Sequence, residues 1–269
     1  MDPIVKVGIK AARRAGSLAV RYLDRLEQLS VEKKGRRDYV SEIDRMAEQD
    51  IIETIHYLFP NHRILAEESG DKHTSKDSEA DEFEWVIDPL DGTTNFLHGH
   101  PHFGISLGVR RGGVMEHAII YDPLRDELFT ASRNQGAQLD NRRMRVSGKG
   151  ALDESLVASG FPLRNIERLD GTLRVLRAVL PKVSDIKVSG SAALDLAYVA
   201  CGRLDGYWEA GLQPWDTAAG SLLVREAGGL VADFDGGQEF FETGNVVAAN
   251  PKMFNELMGI VKSRFVQKA

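Results

Sequence analysis

The stretch Glu84-Trp85-Val86-Ile87-Asp88-Pro89-Leu90-Asp91-Gly92-Thr93-Thr94-Asn95-Phe96 constrains this chain more than any other. Its apolar start, Trp85 to Ile87, has the composition of a buried strand. The strand ends on two carboxylates three positions apart, with Pro89 fixing the backbone between them. Gly92 permits a tight turn, and Thr93, Thr94 or Asn95 can begin a helix. Backbone N–H groups of such a turn carry partial positive charge and make an anion site. Two acids beside an anion cradle call for a cation between them, and Mg2+ is commonly held by carboxylates together with a substrate phosphate. The stretch therefore predicts a metal-and-phosphate site at a strand end. A plainer alternative makes Asp88 and Asp91 ordinary turn and capping acids, as Asp-Pro and Asp-Gly often are. A chemical alternative is the phosphatase class with a nucleophilic Asp in Asp-x-Asp-Gly-Thr. Here two residues separate the acids rather than one, so their side chains would not share a direction along an extended chain.

At 269 residues the chain can bury one large core or two closely joined lobes. The formal net charge of −6 gives no support for direct DNA binding, which usually needs a basic surface, and agrees with a cation-binding pocket. The single cysteine, Cys201, excludes an internal disulfide and falls in an apolar helical run, the setting of a buried structural thiol. No apolar run reaches the ~18 residues that would predict a membrane span. The N-terminus lacks the order of a signal peptide, so the expected location is cytoplasmic.

Along the chain, Asp2-Pro3 opens a helix, with Ile4, Ala11, Ala12, Ala15, Leu18 and Ala19 forming one apolar stripe. Glu32 to Asp38 is a charged, glycine-containing loop, either solvated or a flap whose cations approach an anionic substrate. Ser41-Glu42-Ile43-Asp44 opens a second helix in a capping-box-like pattern, so on the residues alone Asp44 caps that helix. Arg63 to Ala66 is a short strand running into Glu67, and Gly70 to Glu82 is an exposed loop. His98, His100 and His102 alternate as a zinc site might, yet no Cys and no further ligand stands at zinc spacing. Strands and a hairpin follow to about Val146. Strands and helices then alternate as in an α/β lobe, with Glu209 ending one strand and Trp215-Asp216 opening a helix. The expected division is an N-terminal lobe, residues 1–150, carrying the strand-turn, and a C-terminal α/β lobe, 151–269, joined as one catalytic unit.

Four acidic segments now stand together: Glu67, Asp88 with Asp91, Asp216, and Asp44. In this combination the chain resembles the inositol monophosphatase family. Asp88 to Phe96 matches its Asp-Pro-x-Asp-Gly-Thr-x-x-Phe motif, and Trp215 to Gly220 with Glu226 to Gly229 matches its second. Gly190-Ser191-Ala192-Ala193-Leu194-Asp195-Leu196-Ala197-Tyr198 looks most like the family's bacterial SuhB type. The resemblance covers nearly the whole chain. It implies an alternating α-β-α-β-α layered sandwich, usually homodimeric, that hydrolyses phosphate monoesters with Mg2+ and is inhibited by lithium.

By matching positions, it implies that Glu67, Asp88 and the Leu90 carbonyl hold one metal. Asp88, Asp91 and Asp216 would hold a second, and Glu67 could help a weak third. Asp44 and Thr93 would orient and deprotonate the attacking water, which reverses the capping reading of Asp44. Backbone N–H groups of Gly92 and Thr93 would cradle phosphate. Glu209, Gly190 and Ala192 would face inositol hydroxyls, and Lys33 matches a mobile-loop lysine. Where SuhB-type relatives commonly carry arginines, this chain has Lys187-Val188, and Lys187 can meet a phosphate or hydroxyl only as a point charge. No covalent phosphoenzyme is expected.

The implied substrate is a small phosphorylated polyol, myo-inositol 1-phosphate. Fructose 1,6-bisphosphate or 3′-phosphoadenosine 5′-phosphate are superfamily alternatives, and Glu209 is the discriminating position. The SuhB type also implies partners in transcription antitermination.

Overall fold

Strand Phe83–Asp91 is buried along nearly its whole length, because neighbours flank it on both edges and helices cover both faces of its sheet. The computed structural model describes residues 1–29, 31–35, 38–72 and 83–265. The sheet has eight strands in the order Arg142–Arg143, Gly136–Leu139, Glu127–Ser132, Val114–Asp122, Gly104–Arg111, Phe83–Asp91, Arg63–Ala66 and Gly70–Lys72. Phe83–Asp91 pairs parallel with Arg63–Ala66 and every other pairing is antiparallel.

Helices Pro3–Leu23 and Glu42–Leu58 cover one face of this sheet. The stripe expected from Asp2-Pro3 forms: Asp2 Oδ1 accepts from Ile4 N at 2.7 Å, and Ala11, Ala12 and Ala15 are fully buried against Trp85, Leu107 and Ile119. The other face meets helices Ala192–Ala200 and Pro214–Glu226, which also cover a second, five-stranded sheet. That sheet runs Asp185–Lys187, Leu156–Ser159, Gly206–Ala210, Asn245–Ala249, Leu230–Ala232. Helices Leu169–Val179 and Pro251–Phe265 close its far side through Val175, Leu257 and Met253. The layers are thus α-β-α-β-α, as the resemblance implied.

The middle helix pair packs closely enough that small residues are required. A Cβ on Gly108 would lie 2.8 Å from the Ala218 methyl, and one on Gly220 would lie 2.6 Å from Leu196 Cβ.

Two segments depart from expectation. Gly70–Lys72 is an edge strand paired with Arg63–Ala66 rather than loop, while residues 73–82 lie outside the described residues. Val31–Gly35 and Asp38–Ser41 pair as a hairpin, where a charged loop was expected. Arg36, Arg37 and the side chain of Lys33 lie outside the described residues, and so does the flap reading that depends on them.

Candidate active site

Asp88 and Asp91 are three residues apart, an odd spacing that turns side chains to opposite faces of a regular strand. The ladder corrects this. Asp88 lies opposite Ser106 and Asp91 opposite Gly104, so three steps on one strand match two on its neighbour. The extra residue is a bulge, and it brings both acids to the same side of the sheet. Asp216 arrives from the first turn of helix Pro214–Glu226, where its Oδ2 accepts from Gln213 N at 2.8 Å in a capping box. One carboxylate oxygen from each of Asp88, Asp91 and Asp216 lies within 4.8 Å of the others. Oxygens on opposite sides of a Mg2+ ion stand about 4.2 Å apart, twice its ~2.1 Å bond. The triad therefore has the dimensions of a cation site.

Its electrostatics favour one. Burial, then the charges of Glu67, Asp91 and Asp216, push the Asp88 carboxyl well above the usual carboxylate range. Burial lifts Asp91 to about 6, with Glu67 adding to the rise. Hydrogen bonds oppose it: Asp91 Oδ2 accepts from Ser191 Oγ at 2.5 Å and from Ala193 N at 2.7 Å. Crowded buried carboxylates disfavour one another's ionisation, and a divalent ion removes that cost. An all-oxygen, carboxylate donor set fits Mg2+ better than a softer metal.

Glu67 follows strand Arg63–Ala66 and lines the same cavity, where Arg164 Nη2 donates to its Oε1 at 3.3 Å. Thr93 Oγ1 lies 2.8 Å from Asp44 Oδ1 and 3.1 Å from the Leu90 carbonyl oxygen. A hydroxyl has one hydrogen, so donation to the buried Asp44 leaves the Thr93 oxygen as an acceptor for a water proton. Gly92 adopts φ +96°, and a Cβ there would crowd the carbonyl oxygens of His102 at 3.1 Å and Gly190 at 3.3 Å. The first N–H groups of helix Thr93–Leu97, which starts from this turn, have no carbonyl partner within the helix.

Opposite the acids, Asn95 Nδ2 donates to the carbonyl oxygens of Ser189 at 2.8 Å and His102 at 2.7 Å. These bonds tie the Gly190 turn to the motif. Ser191 caps helix Ala192–Ala200, and Glu209 stands, half-buried, near the end of strand Gly206–Ala210. Glu67, Asp88, Leu90, Asp91, Gly92, Thr93, Gly190, Ala192, Glu209 and Asp216 all line one cavity of about 390 Å³, room enough for a phosphorylated polyol. Asp44 stands behind Thr93.

Lys187 is not brought to this cavity. It lies on the exposed edge strand and pairs with Asp185, so the point-charge contact implied for it has no geometric support. The alternating histidines do not form a metal group either: among the described residues, the acidic triad is the only such cluster. His102 is instead buried edge-on to Tyr198, where burial lowers it to about 4. Burial raises the Cys201 thiol, in keeping with an unreactive group. A wider groove between helices Pro3–Leu23 and Glu42–Leu58 holds Arg14 and Asp50 as an ion pair.

Sequence reasoning missed Ser191 and Ala193 as partners of Asp91, Arg164 as the partner of Glu67, and Tyr207 behind Glu209. It also missed Asp195, buried on helix Ala192–Ala200 and raised to about 8, chiefly by burial. The Gly160-Phe161-Pro162 turn directly after a strand was the available signal for the Arg164 loop.

A model of the inositol monophosphatase family matches residues 1–264. The protein named Nus factor SuhB in Pseudomonas aeruginosa is 48% identical over 264 residues, covering 97% of each chain. Among solved structures, the extragenic suppressor protein SuhB of Bartonella henselae superposes with a TM-score of 0.92 at 42% identity, over 97% of this chain and 99% of that one. An inositol monophosphatase from Anabaena gives 0.83 at 36% identity, over 96% of this chain and 95% of the other.

Proposed function

We propose a specific activity for this chain, which belongs to the inositol monophosphatase family and is a phosphatase of that superfamily. The reading is a Mg2+-dependent phosphomonoesterase that hydrolyses myo-inositol 1-phosphate to inositol and phosphate. The observation that carries it is the convergence of Asp88, Asp91 and Asp216 within 4.8 Å, in one cavity with Glu67, Thr93 and Glu209.

Asp88, Asp91 and Asp216, with Glu67 and the Leu90 carbonyl, would hold divalent ions. Such ions supply charge neutralisation at the phosphoryl group and acidify water. The chain's own groups do the rest. Thr93 accepts a proton from the attacking water while donating its own to Asp44, which makes the pair a general-base relay. Backbone N–H groups at Gly92 and Thr93 orient the phosphate. Glu209, Gly190 and Ala192 face the alcohol part of the ester.

The test is release of phosphate from myo-inositol 1-phosphate by the intact protein, with Mg2+ or with a chelator, and by Asp88→Asn. Either loss should lower the rate about a thousandfold or more, in line with the several kcal/mol a metal supplies. Substantial activity surviving either would sink the assignment. A substrate panel including fructose 1,6-bisphosphate and 3′-phosphoadenosine 5′-phosphate, compared by kcat/KM, fixes the ester.

The name of the Pseudomonas aeruginosa relative favours a second role, binding within transcription antitermination complexes. The proposed setting is cytoplasmic and the proposed assembly a homodimer. Among the described residues, no helix is long and apolar enough to cross a membrane. Asp88→Asn used as bait should still retain RNA polymerase or antitermination factors; a bait that retains none ends this second reading.

A further inference from the structure

Glu209 owes its place to two residues outside every motif discussed so far. Tyr207 precedes it by two positions on strand Gly206–Ala210, so both side chains leave the same face of the sheet. Tyr207 is fully buried, and its hydroxyl donates to Glu209 Oε2 at 2.6 Å. Gly160 follows the neighbouring parallel strand, Leu156–Ser159, and leaves room for the carboxyl group where it stands. A Cβ there would stand 2.1 Å from Oε2 and 2.2 Å from Oε1. One side of the carboxyl is therefore fixed by a phenol and another by the absence of a side chain.

We propose that Tyr207 and Gly160 are positioning residues, holding the Glu209 carboxyl so that Oε1 meets a hydroxyl of the ester's alcohol part. The cavity then selects phosphate esters of polyhydroxy alcohols over esters whose alcohol has no second hydroxyl. This rests on the reading that Glu209 faces the alcohol. A site built to pair with a substrate hydroxyl discriminates against an analogue lacking it, because its own polar group is then left unmatched. A flexible carboxyl would forfeit that discrimination, since it could turn away at little cost. Tyr207 removes this freedom by occupying one oxygen, and Gly160 leaves the room that this orientation needs.

The experiment compares two esters in the same protein sample, myo-inositol 1-phosphate and 4-nitrophenyl phosphate, at saturating Mg2+. Tyr207→Phe and Gly160→Ala should each lower the kcat/KM ratio of inositol ester to nitrophenyl ester about fivefold to twentyfold, the scale of one lost hydrogen bond. The loss should lie in KM for the inositol ester and not in kcat. The ratio is independent of the fraction of each variant that folds. Gly160→Ala guards against a Tyr207→Phe core defect, because the three atoms nearest its methyl all belong to the Glu209 carboxyl group and none to the core.

An unchanged ratio in both variants, or a loss confined to kcat, overturns the proposal. Glu209→Ala separates the two levels. If it alters the ratio while the other variants do not, only the positioning role fails. If it leaves the ratio unchanged, the reading that Glu209 faces the alcohol fails with it.

Discussion

The two sides of the cavity bury the same chemical group and satisfy it in opposite ways. On the side built from strand Phe83–Asp91 and helix Pro214–Glu226, acids are gathered until they repel one another. On the side built from the second sheet, Glu209 accepts a hydrogen bond from a phenol, and burial raises it more than the charges of Asp195, Asp216 and Asp91 do. A cluster of acids calls for a cation, whereas a single acid with one oxygen engaged calls for a hydroxyl. Chemistry common to every ester would then be assigned to the first side and choice among esters to the second.

Three measurements would break or sharpen that division. The largest effect belongs to Thr93→Val, which removes the hydroxyl proposed to relay a water proton to Asp44. It should lower kcat about a hundredfold to ten-thousandfold, the range of general-base catalysis. The loss should be equal for inositol and nitrophenyl esters, with Mg2+ affinity by calorimetry unchanged. Unequal losses would erase the division.

A smaller effect concerns pH. Asp91, Glu209 and Asp195 have folded values raised above the unfolded carboxyl, to about 6, about 8 and about 8. A raised acid binds its proton more tightly in the folded state, so its contribution is complete below the unfolded value and disappears as pH rises through the folded one. The metal-free protein should therefore lose melting temperature continuously as pH rises from about 4 to about 8, most steeply below about 6, where all three groups contribute. Mg2+ should flatten the share owed to the acid cluster and leave the share of Glu209 and Asp195. Removal of the whole slope by the ion would mean that the two sides are one electrostatic unit.

The smallest effect is expected of Arg164→Ala. If Glu67 holds a cation as proposed, the guanidinium competes for it, and a partly exposed ion pair is worth about 0.2–1 kcal/mol. Calorimetry should show Mg2+ binding up to about fivefold tighter in the variant. Weaker binding would place Arg164 among the groups that help the ion.

Much of this was legible in the chain, and what was not has a common cause. The stripe from Ile4 to Ala19 and the apolar run at Trp85 to Ile87 announce themselves, because a buried face imposes a period on the residues that form it. Gly70–Lys72 and the paired strands Val31–Gly35 and Asp38–Ser41 do not, for they arise from backbone pairing in polar segments with no apolar alternation. The site shows the same split. Asp88, Asp91 and Gly92 are local and visible, but Asp216 reads alone as a helix-start acid. Only the fold, or likeness to a family, brings it across more than a hundred residues. The partnership of Ser191 with Asp91 depends on the bulge, and the support of Glu209 by Tyr207 and Gly160 depends on a parallel strand pairing.

The contact between Gly108 and Ala218 has a consequence well away from its own position. Ala218 is two residues past Asp216 on the same helix, and Gly108 lies on the strand beside the one bearing Asp88. The missing methyl at Gly108 thus acts as a shim whose thickness sets how far Asp216 stands from its fellow acids. Widening it by one carbon would detune the centre from behind, leaving every reacting group chemically intact and slightly out of place.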